Sequence, residues 1–97
     1  MSLFVTLYKF TDQGIRNVKE SPTRLATAIS VAEAMGVKVL GAYYTVGEYD
    51  LVVISETADE SSAIAHLLAI GALGNVHSMT MKAFTPAEFA EIVKKMP

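Results

Sequence analysis

The residues with the clearest potential for chemistry are one acid, one imidazole and a group of phenols. Asp50 and His77 are the candidate catalytic residues, because a carboxylate and an imidazole can transfer a proton near neutral pH. The candidate ligand-binding residues could hold a small polar molecule through a hydroxyl or carboxylate group: Tyr8, Tyr43, Tyr44, Glu48 and Tyr49. Together they indicate small-molecule binding or metal-free acid-base chemistry, provided that the fold brings them together.

Each candidate also has a structural interpretation. The Asp50 carboxylate could accept hydrogen bonds from the turn amides of Gly47 and Glu48, and His77 could be a solvated residue at the start of a strand. The tyrosines could equally pack at a subunit interface, where side chains with one buried and one wet end are common. His66 has no second metal ligand one helical turn away, so we expect it to pack at a helix or subunit contact.

Composition argues against several other kinds of site. The chain has no cysteine and two histidines that are far apart in sequence, so we predict neither a metal site nor a cofactor. Ten acidic and eight basic residues are scattered along the chain and leave a net charge of -2. A basic stripe that would bind nucleic acid is absent, so nucleic acid is not an expected partner.

The chain is more apolar than a domain of its size needs. Hydrophobic residues make up 52% of the 97 residues, and the mean hydropathy is +0.37. We expect residues 1–97 to form one domain whose surplus apolar surface meets a second copy of the chain. The longest apolar stretches, Leu51–Ile54 and Leu67–Leu73, are far shorter than the roughly 20 residues that span a bilayer. A soluble, cytoplasmic homo-oligomer without a membrane partner is therefore expected.

Periodicity predicts four strands and three helices in the order βαββαβα. The strands are predicted at residues 3–10, 37–46, 49–56 and 76–84, where apolar residues alternate or run continuously. Asp12 is expected to cap a short helical turn, and Ser21 to cap the first long helix, which Gly36 ends.

Two later segments have the spacing of a capping box. Thr57 with Glu60 is expected to open the second helix, and Thr85 with Glu88 the short C-terminal helix.

The central feature is a hairpin at residues 41–56. If Gly47 and Glu48 form its two-residue turn, Val46 faces Tyr49 and Tyr44 faces Leu51. One face then carries Tyr43, Thr45, Asp50, Val52 and Ile54, and the other carries Tyr44, Tyr49, Leu51 and Val53. Because both faces are apolar, the pattern is typical of a strand that is covered on both sides.

Short right-handed crossovers between these elements predict an α+β, ferredoxin-like βαββαβ sandwich with the antiparallel sheet order 4-1-3-2. Two helices cover one face of the sheet, and a second copy would cover the other, which makes a dimeric α/β barrel. In this order Tyr8, Asp50 and His77 are expected to converge at one end of the sheet. Whether they share a face depends on the hairpin register.

Three sets of residues resemble the GYD domain family. They are residues 10–14 (FTDQG), residues 44–50 (YTVGEYD), and the later segments 73–76 (LGNV) and 83–85 (AFT). The resemblance spans nearly the whole chain and implies a dimeric α+β barrel, but it implies no established activity. The turn at residues 47–52 also resembles that of the ligand-binding ferredoxin-like domains of leucine-responsive regulators, although this chain has no helix-turn-helix to read DNA.

These observations leave three functions open. In the first, a homodimeric barrel binds a small organic molecule between the sheet and the partner chain, with Asp50 or His77 transferring a proton and the tyrosines orienting the ligand. In the second, the protein is a non-catalytic effector-sensing or assembly module. In the third, the tyrosines and the apolar second helix serve subunit packing alone. Whether the protein is an enzyme is not decided by the sequence.

Overall fold

The computed structural model describes residues 1–97, and their four strands form one antiparallel sheet. The strands are β1 (Ser2–Phe10), β2 (Val37–Tyr44), β3 (Leu51–Thr57) and β4 (Val76–Ala83). Their order across the sheet is β2-β3-β1-β4, and β1 pairs antiparallel with both β3 and β4. This is the predicted order 4-1-3-2 read from the opposite edge, so the ferredoxin-like α+β arrangement is confirmed.

Two long helices cover one face of this sheet. The helices are α1 (Asp12–Arg16), α2 (Ser21–Ala34), α3 (Glu60–Ala72) and α4 (Pro86–Val93), with a 3-10 turn at Val18–Glu20 before α2. Phe4 of β1 and Val37 of β2 are buried in one cluster with Ala32 of α2 and Ala63 of α3. None of the helices combines the length and apolarity that crossing a bilayer requires.

The two faces of the sheet differ in how well they are covered. On β1, Phe4, Thr6 and Tyr8 are buried toward the helices, whereas the residues between them are only half-buried. We call the opposite side the open face; strand pairing places on it Leu3, Val5, Leu7, Tyr43, Val52, Ile54, Met79 and Met81. Tyr43, Met79 and Met81 on this face are exposed, so one layer of the expected barrel is left uncovered.

The hairpin has the predicted register but a longer loop. Tyr44 pairs with Leu51 and Tyr43 with Val52, so the predicted faces of these four side chains are confirmed. The predicted face of Tyr49 is wrong, because its hydroxyl reaches Met79 on the side of Tyr43 and not on that of Tyr44. The predicted pairing of Val46 with Tyr49 is wrong, because β2 ends at Tyr44 and β3 begins only at Leu51. Residues 45–50 form the loop instead, and the Thr45 hydroxyl donates to the Tyr49 carbonyl at 2.6 Å.

Two of the predicted caps at the first helices are wrong. The N-cap of α1 is Thr11, whose hydroxyl accepts from the Gly14 amide, and Asp12 is the first helical residue. Ser21 is the first residue of α2 and caps nothing, because the chain enters α2 directly from the 3-10 turn in a helical conformation. Gly36 follows α2 with φ of 84°, as predicted for a glycine that ends a helix.

The two predicted capping boxes have different outcomes. The box at Thr57 is wrong, because Thr57 is still paired in the sheet and is fully buried. Asp59 caps α3 instead, and its carboxylate accepts from the amides of Ser61 and Ser62. The box of Thr85 and Glu88 at the start of α4 is confirmed in both of its hydrogen bonds.

Small side chains make the layer between helices and sheet thin. Ten of the 97 residues are buried, and the buried apolar residues of α2 and α3 are the alanines Ala32 and Ala63. Alanine lets the helix backbone approach at these points but fills little volume. Space therefore remains between the helices and the sheet near the hairpin.

Candidate functional site

The structure brings three predicted residues to the same end of the sheet, where β1 ends and β3 and β4 begin. Tyr8 pairs with Leu51 on β3 and with Ser78 on β4, next to the pair of Lys9 and His77. The Asp50 amide donates to the Tyr8 carbonyl at 2.8 Å. We call this region the hairpin end of the sheet.

The same residues are divided between the two faces. Tyr8 points toward the helices and is 7% exposed, whereas His77 is exposed and belongs with Lys9 on the opposite side. Successive side chains of a strand point to opposite faces, so a position shared along the strands does not bring Tyr8 and His77 into contact. The predicted residues thus share one end of the sheet but lie on its two opposite faces.

Asp50 extends the sheet beyond the first residue of β3. Its Oδ2 accepts a hydrogen bond from the Phe10 amide at 2.8 Å, where a carbonyl of a longer β3 would otherwise lie. The alternative in which the carboxylate accepts from the turn amides of Gly47 and Glu48 is wrong, because it accepts from the end of β1 instead. Asp50 as a whole residue is half-buried.

Tyr44 joins the hairpin to the first long helix. Its hydroxyl lies 2.8 Å from the Ser21 hydroxyl, and either oxygen can be the donor. Ser21 is buried, although sequence reasoning expected it to be a helix cap. The hydroxyl of Tyr44 is therefore engaged on the helix side of the sheet.

Tyr43 and Tyr49 lie on the other side. The Tyr43 ring covers Gly41: a Cβ added at Gly41 would lie 2.9 Å from a carbon of that ring. The Tyr49 hydroxyl reaches the sulfur of Met79 at 3.9 Å, so the hairpin loop leans over the open face. Tyr43 is 61% exposed, and Glu48 is exposed in the loop.

His66 links the two long helices. Its Nε2 lies 3.0 Å from the Ala28 carbonyl, and because a carbonyl can only accept, this nitrogen carries the proton. The expected packing at a helix contact is confirmed. Elsewhere, no three His, Cys, Asp or Glu side chains are close enough to hold a metal ion.

A cavity of about 100 Å³ lies between the sheet and the long helices at the hairpin end. We call it the helix-side cavity. Fifteen residues line it and eleven of these are hydrophobic, including Leu25 and Ile29 of α2 and Ile70 of α3. Burial raises the pKa of Tyr8, which forms part of its wall, to about 12.

Sequence reasoning expected a pocket on the other side of the sheet and did not identify the α2 and α3 residues that line this one. The one available signal was the run of small residues on the apolar faces of the helices, Ala28 and Ala32 on α2 and Ala63 on α3. Such residues bring helices near a sheet without filling the space between larger neighbours.

Comparison with known proteins relates the sequence of the chain to others. A protein of Thermus thermophilus, named "Glutamine synthetase and cystathionine beta-lyase binding protein", is 28% identical over 95 residues, which are 97% of this chain and 100% of that protein. No solved structure matches the chain. The family model named GYD domain matches residues 4–93, which include most of β1, the other three strands and the hairpin. The chain therefore belongs to the GYD domain family.

Proposed function

We propose that the protein is a homo-oligomeric, non-catalytic module that binds other proteins. The observation that carries this proposal is the uncovered apolar surface. On the open face Tyr43 is 61% exposed, Met79 50% and Met81 43%. Contiguous exposed apolar side chains on a small domain are typical of an interaction surface.

A second copy of the chain is the proposed occupant of the open face. Two identical sheets can pack face to face about a two-fold axis, since such an interface uses the same patch on both copies. Half-buried residues at the centre of the patch, Val5, Leu7 and Val52, would then become fully buried. This arrangement would close the dimeric α/β barrel and supply the second layer that the sheet lacks.

The C-terminal helix provides a separate surface for a different protein. Every residue from Phe84 to Pro97 is exposed, so α4 extends from the domain without a partner. Its apolar residues Phe89, Ile92 and Val93 recur at the spacing of a helix that binds in a groove, and Met96 follows just beyond the helix. The related protein of Thermus thermophilus is named for binding two enzymes, which supports protein partners for this chain as well.

Two measurements test the two surfaces separately. For the open face, Met79→Glu should convert an oligomer into a particle of 10.4 kDa in sedimentation, because a charge cannot be buried between two sheets. Val46→Glu is the matched control, since Val46 is fully exposed in the hairpin loop. A wild-type protein that already sediments at 10.4 kDa at micromolar concentration would exclude the proposed self-association.

For α4, the protein should be mixed with the glutamine synthetase and the cystathionine beta-lyase of its own organism. Phe89→Asp should abolish complex formation, whereas Ala87→Asp on the opposite side of the helix should leave it intact. Binding that survives Phe89→Asp would remove α4 from the interaction. The absence of a complex with either wild-type enzyme would argue against these two partners.

Binding of a small organic molecule is the second candidate, and the placement of Tyr49 favours it. Tyr49 leans over the open face, so a second copy would enclose it with Tyr43 and bring the exposed His77 near the rim. Asp50 and His77 would then be the proton-transfer residues. Asp50→Asn tests the role of the acid, since the amide oxygen can still accept from Phe10 while the charge is lost. Unchanged turnover of an identified ligand would remove Asp50 from the chemistry.

A further inference from the structure

The helix-side cavity contains a polar group that the rest of the fold does not use. Tyr8 is 7% exposed, and the rise in the pKa of its phenol has burial as its sole cause, with no contribution from a hydrogen bond. No side-chain oxygen or nitrogen that is completely enclosed by protein lacks a hydrogen bond. The Tyr8 hydroxyl is therefore buried against protein but open to the cavity.

The other polar side chains around the cavity each have a hydrogen-bond partner in the protein. The Ser21 hydroxyl pairs with Tyr44, His66 Nε2 donates to the Ala28 carbonyl, and Asn75 Oδ1 accepts from Gln13 Nε2 at 3.0 Å. Arg24 donates from Nη1 to the Asn17 carbonyl at 3.0 Å and lies 3.8 Å from the Glu20 carboxylate. An incoming molecule would thus find mainly apolar walls and, in Tyr8, one hydroxyl without a partner in the protein.

We propose that the helix-side cavity binds a small, uncharged aromatic or branched aliphatic molecule whose single hydrogen-bonding group pairs with the Tyr8 hydroxyl. This site lies between the sheet and the chain's own helices, and each copy therefore contains a complete one. It is separate from both the open face and α4.

Size and polarity define the ligand class. The cavity volume of about 100 Å³ is of the same order as an engineered apolar cavity of about 150 Å³ that takes up benzene. A second cavity of about 40 Å³ also borders Tyr8, Val39 and Val53, next to the first. A charged ligand is disfavoured, because burying an ion without a partner of opposite charge is costly. The Arg24 guanidinium already lies beside the Glu20 carboxylate and donates to the Asn17 carbonyl.

Phenol and toluene are a matched pair of probes, since they have similar size and only phenol has a hydroxyl. Ligand-observed NMR gives the dissociation constant of each for the wild-type protein and for Tyr8→Phe. Loss of one hydrogen bond should weaken phenol binding about fivefold, and toluene binding should change less than about twofold. Retained toluene binding also shows that Tyr8→Phe still folds.

A second variant places the probes in the cavity. Ala28 lines the cavity, so Ala28→Leu should weaken both probes at least about tenfold by occupying their volume. Ala26→Leu makes the same change at an exposed position of α2 and should leave both affinities unchanged. The proposal is overturned if the wild-type protein binds neither probe, if Tyr8→Phe leaves phenol binding unchanged, or if Ala28→Leu and Ala26→Leu behave alike.

Discussion

The hydroxyls of Ser21 and Tyr44 lie 2.8 Å apart and join the first residue of α2 to the last residue of β2. Ser21 is buried, whereas Tyr44 is 46% exposed. The bond therefore fixes the start of the helix over the hairpin end of the sheet, where the helix-side cavity lies. Its strength bears directly on how well that cavity keeps its shape.

Removal of this hydrogen bond should destabilise the protein modestly. Tyr44→Phe is expected to lower the free energy of unfolding by about 0.5–1 kcal/mol, because the Ser21 hydroxyl would lose its partner while the ring remains. Urea denaturation measures this, and Tyr43→Phe is the control, since Tyr43 is 61% exposed. In the double variant with Ser21→Ala, the two effects should be less than additive. Full additivity would show that the hydroxyls do not interact in solution.

Substitution by alanine should have opposite effects on stability at two of the glycines. A Cβ at Gly14 would lie 1.9 Å from the Asn75 carbonyl oxygen, so Gly14→Ala must displace backbone and should cost about 3 kcal/mol. A Cβ at Gly71, inside α3, meets nothing within 4 Å, so Gly71→Ala should stabilise by about 0.5–1 kcal/mol. Thermal or urea unfolding gives both values. Equal effects of the two changes would contradict the close contact between α1 and the segment before β4.

The sheet could be predicted from the sequence because short, neighbouring segments of the chain determine its strands and their pairing. Apolar runs on both sides of Gly47 set the pairing of Tyr44 with Leu51, and short crossovers then allow essentially one strand order. The chain near Thr57 shows the limit of such reasoning. Both Thr57 and Asp59 have spacings that suit a helix cap, and pairing of Thr57 with Ser2 and Val37 in the sheet decides between them.

The candidate site was harder to predict because it depends on contacts between distant residues. Asp50 and Phe10 are 40 positions apart, and Ser21 and Tyr44 are 23 apart, so neither hydrogen bond leaves a pattern in the sequence. Position along the strands correctly placed Tyr8 and His77 at one end of the sheet. Because side chains alternate along a strand, the two residues lie on opposite faces. The long helices pack on the face of Tyr8, so Tyr8 lines a cavity and His77 does not.

Acid should destabilise the start of α3. Hydrogen bonds from Ser61 and Ser62 lower the pKa of Asp59 below its ordinary value of 3.8. Since the folded pKa is the lower one, the stabilisation is present above 3.8 and is lost as the pH falls through the folded pKa. Asn also caps helices, so Asp59→Asn should match the wild type near neutral pH and lose less stability in acid. Urea midpoints of both proteins, near neutral pH and in acid, test this. An equal loss of stability in the two proteins would show that Asp59 does not contribute to the acid sensitivity.

Alkali should destabilise the protein through Tyr8. Burial raises the pKa of this phenol from 10.0 to about 12, so the unfolded chain ionises first as the pH rises. The contribution to stability is complete below 10.0 and is lost as the pH rises toward 12. Tyr8→Phe cannot ionise at this position, and its urea midpoint should fall less across that interval. An equal fall for both proteins would place the Tyr8 hydroxyl in contact with bulk water.

The C-terminal helix should be the least protected helix of the protein when no other protein is present. It has eight residues, none of them buried, and isolated helices shorter than about 12–15 residues are marginal in water. Its capping box helps to start the helix, but no packing holds it. Amide hydrogens of α4 should therefore exchange far faster than those of β1, measured by mass spectrometry. Protection of α4 that increases with protein concentration would instead mean that a second copy covers its apolar side. In that case Phe89→Asp would disrupt self-association as well as binding of a different protein.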